Sequence, residues 1–260
     1  MAKKTKKSKK EATSTSSHKF WKVIGKIILI LFIVSIALPL AYRWINPPFT
    51  PLMVIRKIQN GTPIEKEWRD LDEISHYMVD CAVAAEDNNF LAHRGFDWGA
   101  VQKAINDHKK GKSKRGASTI SQQTAKNVFL WPGHSWVRKA GEVYFTFLIE
   151  TFWSKERIME VYLNVIEMGD GIYGAEAAAQ HYFQKSADKL TLHQCALITA
   201  CYPAPLSRNP GKPTSYLNRR AGKISGLSCK IGRVKFDKES IEKARQRYEK
   251  RKTEWYEIDL

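Results

Sequence analysis

The chain has 260 residues, of which 43% are hydrophobic and 27% charged, and its formal net charge is +17. This composition excludes global disorder, and the length suits one well-packed core in one or two domains. A solvated basic surface is the simplest explanation of the positive charge, and attraction to anionic lipid headgroups or to a diphosphate ligand is the more specific one. No recognition motif accompanies the charge, so we expect no nucleic-acid partner.

The first 45 residues have the pattern of a membrane anchor. Residues 1–22 form a basic tail with eight lysines and one glutamate, and residues 23–45 are almost entirely apolar, long enough for a transmembrane helix. A cleaved signal peptide fits poorly because no small-residue cleavage site follows, and a buried core helix would rarely be so uniformly apolar. The lysines predict a single-pass topology in the cytoplasmic membrane, with the tail in the cytoplasm and the body outside.

Helical periodicity dominates the rest of the chain and strand patterns are sparse, so we predict a mainly α fold. Residues 46–60 are predicted to be a connector, extended at its proline-rich start over residues 46–51. Residues 61–215 form the main domain, and residues 216–260 form a basic, helical C-terminal extension. The predicted helices are 74–91, 97–109, 119–129 with Ser118 as N-cap, 135–152, 155–169 with Ser154 as N-cap, 174–183, 192–202 and 237–254.

The four cysteines have neither a CxxC pair nor the spacing of zinc ligands; they are Cys81, Cys195, Cys201 and Cys229. We predict that they are small buried apolar side chains rather than disulfide partners or metal ligands. No metal site made by the protein alone is expected.

Glu86 is the first candidate catalytic residue. If its helix continues, Phe90 lies one turn beyond it and His93 two turns beyond, on the same face. Aromatic surface beside a carboxylate reduces its hydration and makes it a better proton acceptor near neutral pH. An ordinary solvated glutamate on an amphipathic helix would show the same local pattern.

Two further segments carry polar groups that could bind sugars and phosphates. Thr119, Gln123 and Lys126 follow the spacing of one helix face, and a helix N-terminus adds partial positive charge. Arg138 and Lys139 lie one turn before Glu142 in the sequence, which suits a cationic clamp with a carboxylate to orient it. A solvated helix face and a routine helical ion pair are the simpler interpretations of each segment alone.

Together these segments resemble the peptidoglycan glycosyltransferase family over roughly residues 60–210. The motifs that carry the resemblance are Glu86-Asp87, Phe90, His93, Gly95 and Asp97; Gly116, Ser118-Thr119-Ile120, Gln122-Gln123, Ala125-Lys126-Asn127 and Phe129-Leu130; Arg138-Lys139 and Glu142; Lys155-Glu156-Arg157-Ile158, Tyr162-Leu163-Asn164 and Gly169; Gly174-Ala175 and Tyr182-Phe183; and Pro203, Pro205 and Asn209-Pro210. Ala117, Ser121 and Thr124 replace the usual glycine, threonine and leucine of the family, conservatively in size or chemistry.

The resemblance implies a lysozyme-like, mainly helical fold with a small membrane-proximal jaw, and an enzyme that polymerises lipid II into β-1,4-linked glycan strands. It implies that Glu86 is the general base on the acceptor 4-hydroxyl. Glu142 would position the donor diphosphate, directly or through a divalent cation, Mg²⁺ or Mn²⁺. The remaining implied roles are neutralisation of the leaving undecaprenyl diphosphate by Lys126, Arg138 and Lys139, lining of the site by Ser118, Thr119 and Gln123, and support of Glu86 by Asp87 and His93.

The implied partners are lipid II, the growing glycan, the lipid bilayer and other proteins of wall synthesis or division, with the catalytic domain in the periplasm. A membrane-anchored lysozyme-like hydrolase or lytic transglycosylase remains the alternative, although the cationic cluster Lys126, Arg138 and Lys139 disfavours it because glycosidases pair two carboxylates instead. A non-enzymatic membrane scaffold is a further alternative, and it predicts that Glu86 is dispensable.

Overall fold

A computed structural model describes the backbone of residues 4–111, 116–133 and 135–258, and the side chains of residues 20–111, 116–133 and 135–251. The chain divides into two units, Met1–Trp44 and Ile45–Leu260. Each is described by itself.

The first unit is one long helix, α1, which spans Lys4–Ala41. Its stretch Phe20–Ala41 has a mean hydropathy of 2.7, and among the described residues it is the one helix long and apolar enough to cross a membrane. The apolar side chains of this stretch are largely exposed to the surroundings, unlike those of a core helix. The helix ends at Ala41, so residues 42–45 of the predicted transmembrane span lie in turns beyond it.

The second unit is mainly helical, as predicted. Its helices are α2 (Pro51–Asn60), α3 (His76–Glu86), α4 (Trp98–Lys109), α5 (Ile120–Phe129), α6 (Trp136–Phe152), α7 (Lys155–Val165), α8 (Ala175–Phe183), α9 (Leu192–Cys201), α10 (Ser215–Ile231) and α11 (Lys238–Ile258), with short 3-10 turns at Leu71–Glu73 and Ala187–Lys189. A small sheet of β1 (Glu65–Lys66), β2 (Glu167–Gly169) and β3 (Ile172–Tyr173) accompanies them.

The strands of this sheet lie in the order β1-β3-β2, with β1 parallel and β2 antiparallel to β3. Gly171 makes the turn from β2 to β3 with a φ of 76°, and a Cβ there would lie 2.4 Å from the carbonyl oxygen of Pro63. Only glycine accommodates both the left-handed backbone and this close approach. The turn therefore fixes the sheet against the segment that precedes β1.

The core surrounds α7, whose apolar stripe of Ile158, Val161, Tyr162 and Val165 is fully buried. Helix α5 packs between α6 and α7, while α3 packs against α9 and α10. Burial of apolar side chains at these contacts is the main source of stability for such a helical body. The arrangement brings α3, α5, α6 and α7 together, and these four helices carry the candidate site residues.

The cysteine prediction is confirmed for three of the four residues. Cys81, Cys195 and Cys201 are buried and free, whereas Cys229 is exposed on α10. Burial raises the pKa of the Cys81 thiol to about 12 and that of Cys201 to about 11, so both stay protonated and unreactive near neutral pH.

Several predicted helix boundaries are wrong for local physical reasons. The helix predicted over residues 74–91 ends at Glu86, because Asp87 has φ −158° and ψ 78°, outside the helical region. The helix predicted over residues 155–169 ends at Val165, because residues 167–169 form β2. The N-cap of α5 is Thr119, which forms a capping box with Gln122, while Ser118 is exposed and lies before it. Within the predicted connector, Pro51–Asn60 is helical, capped by the side chain of Thr50.

The buried side chain of Asn164 ties α7 to the segment before the first 3-10 turn. Its Oδ1 accepts from the backbone N–H of Arg69 at 2.9 Å, and its Nδ2 donates to the carbonyl oxygen of Arg69 at 2.8 Å. Nδ2 also donates to the carbonyl oxygen of Glu160 at 2.8 Å. One amide thus satisfies backbone groups that lie 95 residues away in the chain.

We expect Asn164→Ala to lower the free energy of unfolding by about 2 kcal/mol, because it leaves both backbone groups of Arg69 without their partner. Urea unfolding followed by circular dichroism measures the loss. Asn218→Ala, at an exposed position of α10, is the matched control and should change stability by less than about 0.5 kcal/mol. Equal effects of the two substitutions would contradict this role of Asn164.

Candidate active site

Glu86 is the last residue of α3 and is half-buried. Its Oε2 accepts a hydrogen bond of 2.8 Å from Nε2 of Gln123 on α5, and Oε1 of Gln123 accepts one of 3.2 Å from the hydroxyl of Tyr162 on α7. A carboxylate can only accept, so the amide nitrogen must face Glu86 and the tyrosine hydroxyl must donate to the amide oxygen. Three helices thereby fix one orientation of the Glu86 carboxylate.

Tyr162 is suited to this donor role. Burial raises the pKa of its phenol well above the usual value, and the nearby Glu86 and Tyr202 add to the shift. The phenol therefore stays protonated across the physiological pH range. In the sequence Tyr162 is notable only as part of the motif Tyr162-Leu163-Asn164, since nothing in the local pattern signals that its hydroxyl reaches α5.

Asp87 and His93 are buried and pair with each other rather than with Glu86. Nε2 of His93 lies 2.9 Å from each carboxylate oxygen of Asp87. Oδ2 of Asp87 also accepts from the backbone N–H of Ile120, the first residue of α5, at 3.0 Å. The predicted helical stacking of Phe90 and His93 over Glu86 is wrong because α3 stops at Glu86. The pair instead holds the end of α3 against the start of α5.

Thr119 and Ser118 do not join the polar face of α5. The Thr119 hydroxyl donates to the carbonyl oxygen of Gly95 at 2.7 Å and accepts from the N–H of Gln122, and its side chain is buried. Ser118 is exposed in the segment before the helix. The structure therefore keeps Gln123 and Lys126 on the predicted face and assigns Thr119 to capping.

A cationic cluster forms where α5 meets α6. Nη1 of Arg138 donates to Oε2 of Glu142 at 2.9 Å, and Nζ of Lys139 contacts Oε1 of the same carboxylate. Glu142 is only 3% exposed, while part of the Lys139 side chain reaches solvent. Two cations on one carboxylate leave a net positive charge, and Lys126 adds to it. Such a cluster is suited to an anionic ligand.

The charge of Lys126 interacts with the cationic cluster on α6 and with Glu86 on α3. Burial lowers the pKa of its ammonium, attraction to Glu142 opposes this, and repulsion by Arg138 and Lys139 lowers the pKa further. A weaker attraction to Glu86 also opposes the lowering of the Lys126 pKa. Gln123 joins Glu86 to the face of α5 that carries Lys126, and Arg138 and Lys139 pair with Glu142 on α6.

A pocket of about 300 Å³ opens beside these residues and is lined by Gln123, Lys126 and Arg138. The Nε of Arg138 is buried without a hydrogen-bond partner among the described residues, which leaves a donor for an anion. Glu86 does not line this pocket itself and reaches it through Gln123. Lining residues that sequence analysis missed as site residues are Arg56, Tyr162, Glu167 and Tyr202.

Arg56 and Glu167 form an ion pair at 3.4 Å on the wall of this pocket. Arg56 lies on α2, which sequence analysis treated as a connector, so no helical pattern signalled it. Glu167 follows α7 in β2 and becomes a wall residue only through the pairing of β2 with β3. Both depend on long-range packing rather than on a local motif.

The donor set does not fit a resident metal ion. Both oxygens of Glu142 already contact cations, and the part of the chain that the structure describes contains no cluster of three His, Cys, Asp or Glu side chains.

Lys126→Met is expected to raise the free energy of unfolding at pH 7 by about 1 kcal/mol, because methionine removes the cost of burying a charge. Since burial lowers the folded-state pKa of Lys126, that cost is fully present below the folded-state pKa. It falls as the pH rises and is gone above about 10.4, the usual lysine pKa of an unfolded chain.

Urea unfolding of wild type and Lys126→Met at several pH values tests this, with Lys103→Met at an exposed position of α4 as control. The gain from Lys126→Met should shrink in alkaline solution. A gain that is absent at neutral pH, or no larger than that of the control, would contradict the buried charge.

Comparison with known proteins shows the family to which the chain belongs. A family model described as Transglycosylase matches residues 53–226, a range that contains the predicted domain 61–215. A biosynthetic peptidoglycan transglycosylase of Caulobacter vibrioides is 53% identical over 216 residues, 82% of this chain and 94% of the relative. Proteins of the same name from Bacteroides thetaiotaomicron and Stutzerimonas stutzeri are 48% and 47% identical, over 87% and 80% of this chain and 94% and 88% of the relatives. The predicted family is confirmed, and the chain belongs to the transglycosylase family.

Proposed function

We propose that this chain is a peptidoglycan glycosyltransferase that polymerises lipid II into β-1,4-linked glycan strands and releases undecaprenyl diphosphate. Membership of the transglycosylase family and the names of its relatives support the activity. The observation that carries the assignment of residues is that Gln123, which donates a hydrogen bond to Glu86, lines one pocket together with Lys126 and Arg138. A base and a cationic anion site are the two parts that this reaction needs.

Glu86 is the proposed general base. Gln123 donates to its Oε2, and no described residue donates to Oε1, which leaves Oε1 to receive the proton of the acceptor 4-hydroxyl. The hydroxyl oxygen attacks the anomeric carbon of the donor from the face opposite its α-linked diphosphate. The new C–O bond forms as the bond to the diphosphate oxygen breaks, which inverts the configuration and gives a β-linkage.

The cationic cluster is proposed to stabilise the leaving diphosphate. Arg138 has a buried Nε–H without a partner and offers a planar fork to phosphate oxygens. Lys126 adds a charge from within the pocket wall, where burial strengthens its attraction to an anion. Both interactions grow as negative charge develops on the departing group, so they lower the barrier rather than only bind substrate.

Glu142 is proposed to orient Arg138 and Lys139, not to take part in proton transfer. A glycosidase would pair two functional carboxylates across the scissile bond and would need no clamp for diphosphate. Because two cations occupy Glu142, the arrangement favours transfer from a diphosphate donor over hydrolysis of glycan. A divalent cation carried by the substrate diphosphate remains a prediction from the family resemblance.

The membrane location is also a proposal. The apolar stretch Phe20–Ala41 would anchor the chain in the cytoplasmic membrane, and the basic tail before it would keep the N-terminus in the cytoplasm and the body in the periplasm. On α6 the side chains of Trp136, Val137 and Phe147 are largely exposed, with Trp136 at 91%. Such apolar surface suits the headgroup region from which a lipid-linked substrate would enter. Partners in wall synthesis or division remain a prediction.

Glu86→Gln is expected to lower kcat for polymerisation by about 10²–10⁴-fold, because an amide cannot accept the hydroxyl proton. Purified enzyme and labelled lipid II in detergent, with glycan product and undecaprenyl diphosphate both measured, provide the test. Glu156→Gln, the same change at an exposed position of α7, should leave the rate unchanged. Cleavage of preformed glycan without polymer formation would instead support the hydrolase, and full activity of Glu86→Gln would support a scaffold.

Arg138→Lys is expected to lower kcat at saturating lipid II by at least about tenfold, because lysine keeps the charge but not the planar fork. Arg94→Lys is the control, since Arg94 is exposed. If the two variants had the same kcat, direct contact of the Arg138 guanidinium with the leaving group would be excluded.

A further inference from the structure

Helix α11 lies against the loop that follows Glu86. The transglycosylase family model ends at residue 226, whereas α11 begins at Lys238. The family model therefore does not cover the contacts that α11 makes. Two residues of α11 one turn apart, Tyr248 and Arg251, reach the loop formed by residues 87–97.

These contacts close a ring of hydrogen bonds. The hydroxyl of Tyr248 donates to Oδ1 of Asp97 at 3.0 Å, and Nδ2 of Asn89 donates to Oδ2 of the same carboxylate at 2.8 Å. Nη2 of Arg251 donates to Oδ1 of Asn89 at 2.9 Å. Asp97 also accepts from the N–H of Ala100 as the N-cap of α4. The two ends of the loop are thus joined to each other and to α11.

Because Tyr248 and Asp97 are both buried, loss of the hydrogen bond between them would be costly. Both residues are 5% exposed, so a partner lost from either cannot be replaced easily by water. Burial, and next the charge of Asp97, raises the pKa of Tyr248 to about 12, and its hydroxyl remains a donor near neutral pH. The contact is therefore not lost through ionisation of the Tyr248 hydroxyl near neutral pH.

The segment before α11 is fixed to α3 as well. The backbone N–H of Val234 donates to Oδ1 of Asp80 at 2.8 Å, and Asp80 is a buried residue of α3. The chain beyond the family model thus contacts the helix that ends in Glu86 and the loop that begins directly after it. Helix ends fray unless something outside the helix holds them.

We propose that α11 positions the Glu86 carboxylate, with Tyr248 and Arg251 acting as positioning residues through Asp97 and Asn89. The proposal rests on the assignment of Glu86 as general base. The inner side of the loop is held by Asp87, His93 and the start of α5. The outer side is held by α11, and the backbone that leaves Glu86 is constrained from both directions. A base must lie within hydrogen-bond reach of its proton, so small displacements are costly.

Tyr248→Phe and Arg251→Ala in the full chain test this, with kcat and KM for lipid II measured for each. We expect kcat to fall roughly tenfold with KM within twofold of wild type, since the binding residues Lys126 and Arg138 are untouched. Arg247→Ala is the control for Arg251→Ala because it removes the same charge from an exposed position of the same helix. Its kcat should equal that of wild type.

A thermal unfolding scan of each variant separates positioning from general stability. Normal kcat with a lowered midpoint would overturn the proposal, and so would a raised KM at normal kcat. These failures are distinct from failure of the proposed function, in which wild type would form no polymer or Glu86→Gln would remain active. If Tyr248→Phe did not fold, Arg251→Ala alone would decide between the outcomes.

Discussion

The Asp87 carboxylate joins the two halves of the site, and most of the geometry described above depends on it. Asp87 directly follows Glu86, and its Oδ2 accepts from the backbone N–H of Ile120 at the start of α5. Helix α5 in turn presents Gln123 and Lys126. A buried carboxylate at a helix N-terminus is favoured both by the unpaired N–H groups and by the helix dipole. His93 provides its second partner, so the charge is not left alone in the interior.

The sequence was most informative where function requires residue types in a fixed order. The family and the mainly helical fold were predictable from motifs and helical spacing, and the structure places Gln123, Lys126 and Arg138 around one pocket. The end of α3 was not, because it depends on a contact between Asp87 and a residue 33 positions later. Arg56, Tyr162 and Glu167 were missed for the same reason, since long-range packing brings them to the pocket and no local period reports it.

Charge and burial are balanced differently around the two carboxylates Glu86 and Glu142. Glu86 keeps one oxygen without a described donor and relies on neutral partners, Gln123 and Tyr162, for its orientation. Glu142 is buried, and each of its oxygens contacts a cation, Arg138 or Lys139. The two carboxylates therefore differ in their partners: Glu86 has an oxygen free to accept a hydrogen bond from a ligand, whereas both oxygens of Glu142 are paired with cations.

The thiols of this chain differ sharply in accessibility. Three are enclosed in the helical core and stay protonated, while Cys229 faces the surroundings from α10, which carries none of the proposed site residues. Thiol-directed reagents should thus react at a single natural attachment point. A fluorophore or spin label could be introduced there without engineering a cysteine-free background, and it would report on the body during glycan elongation.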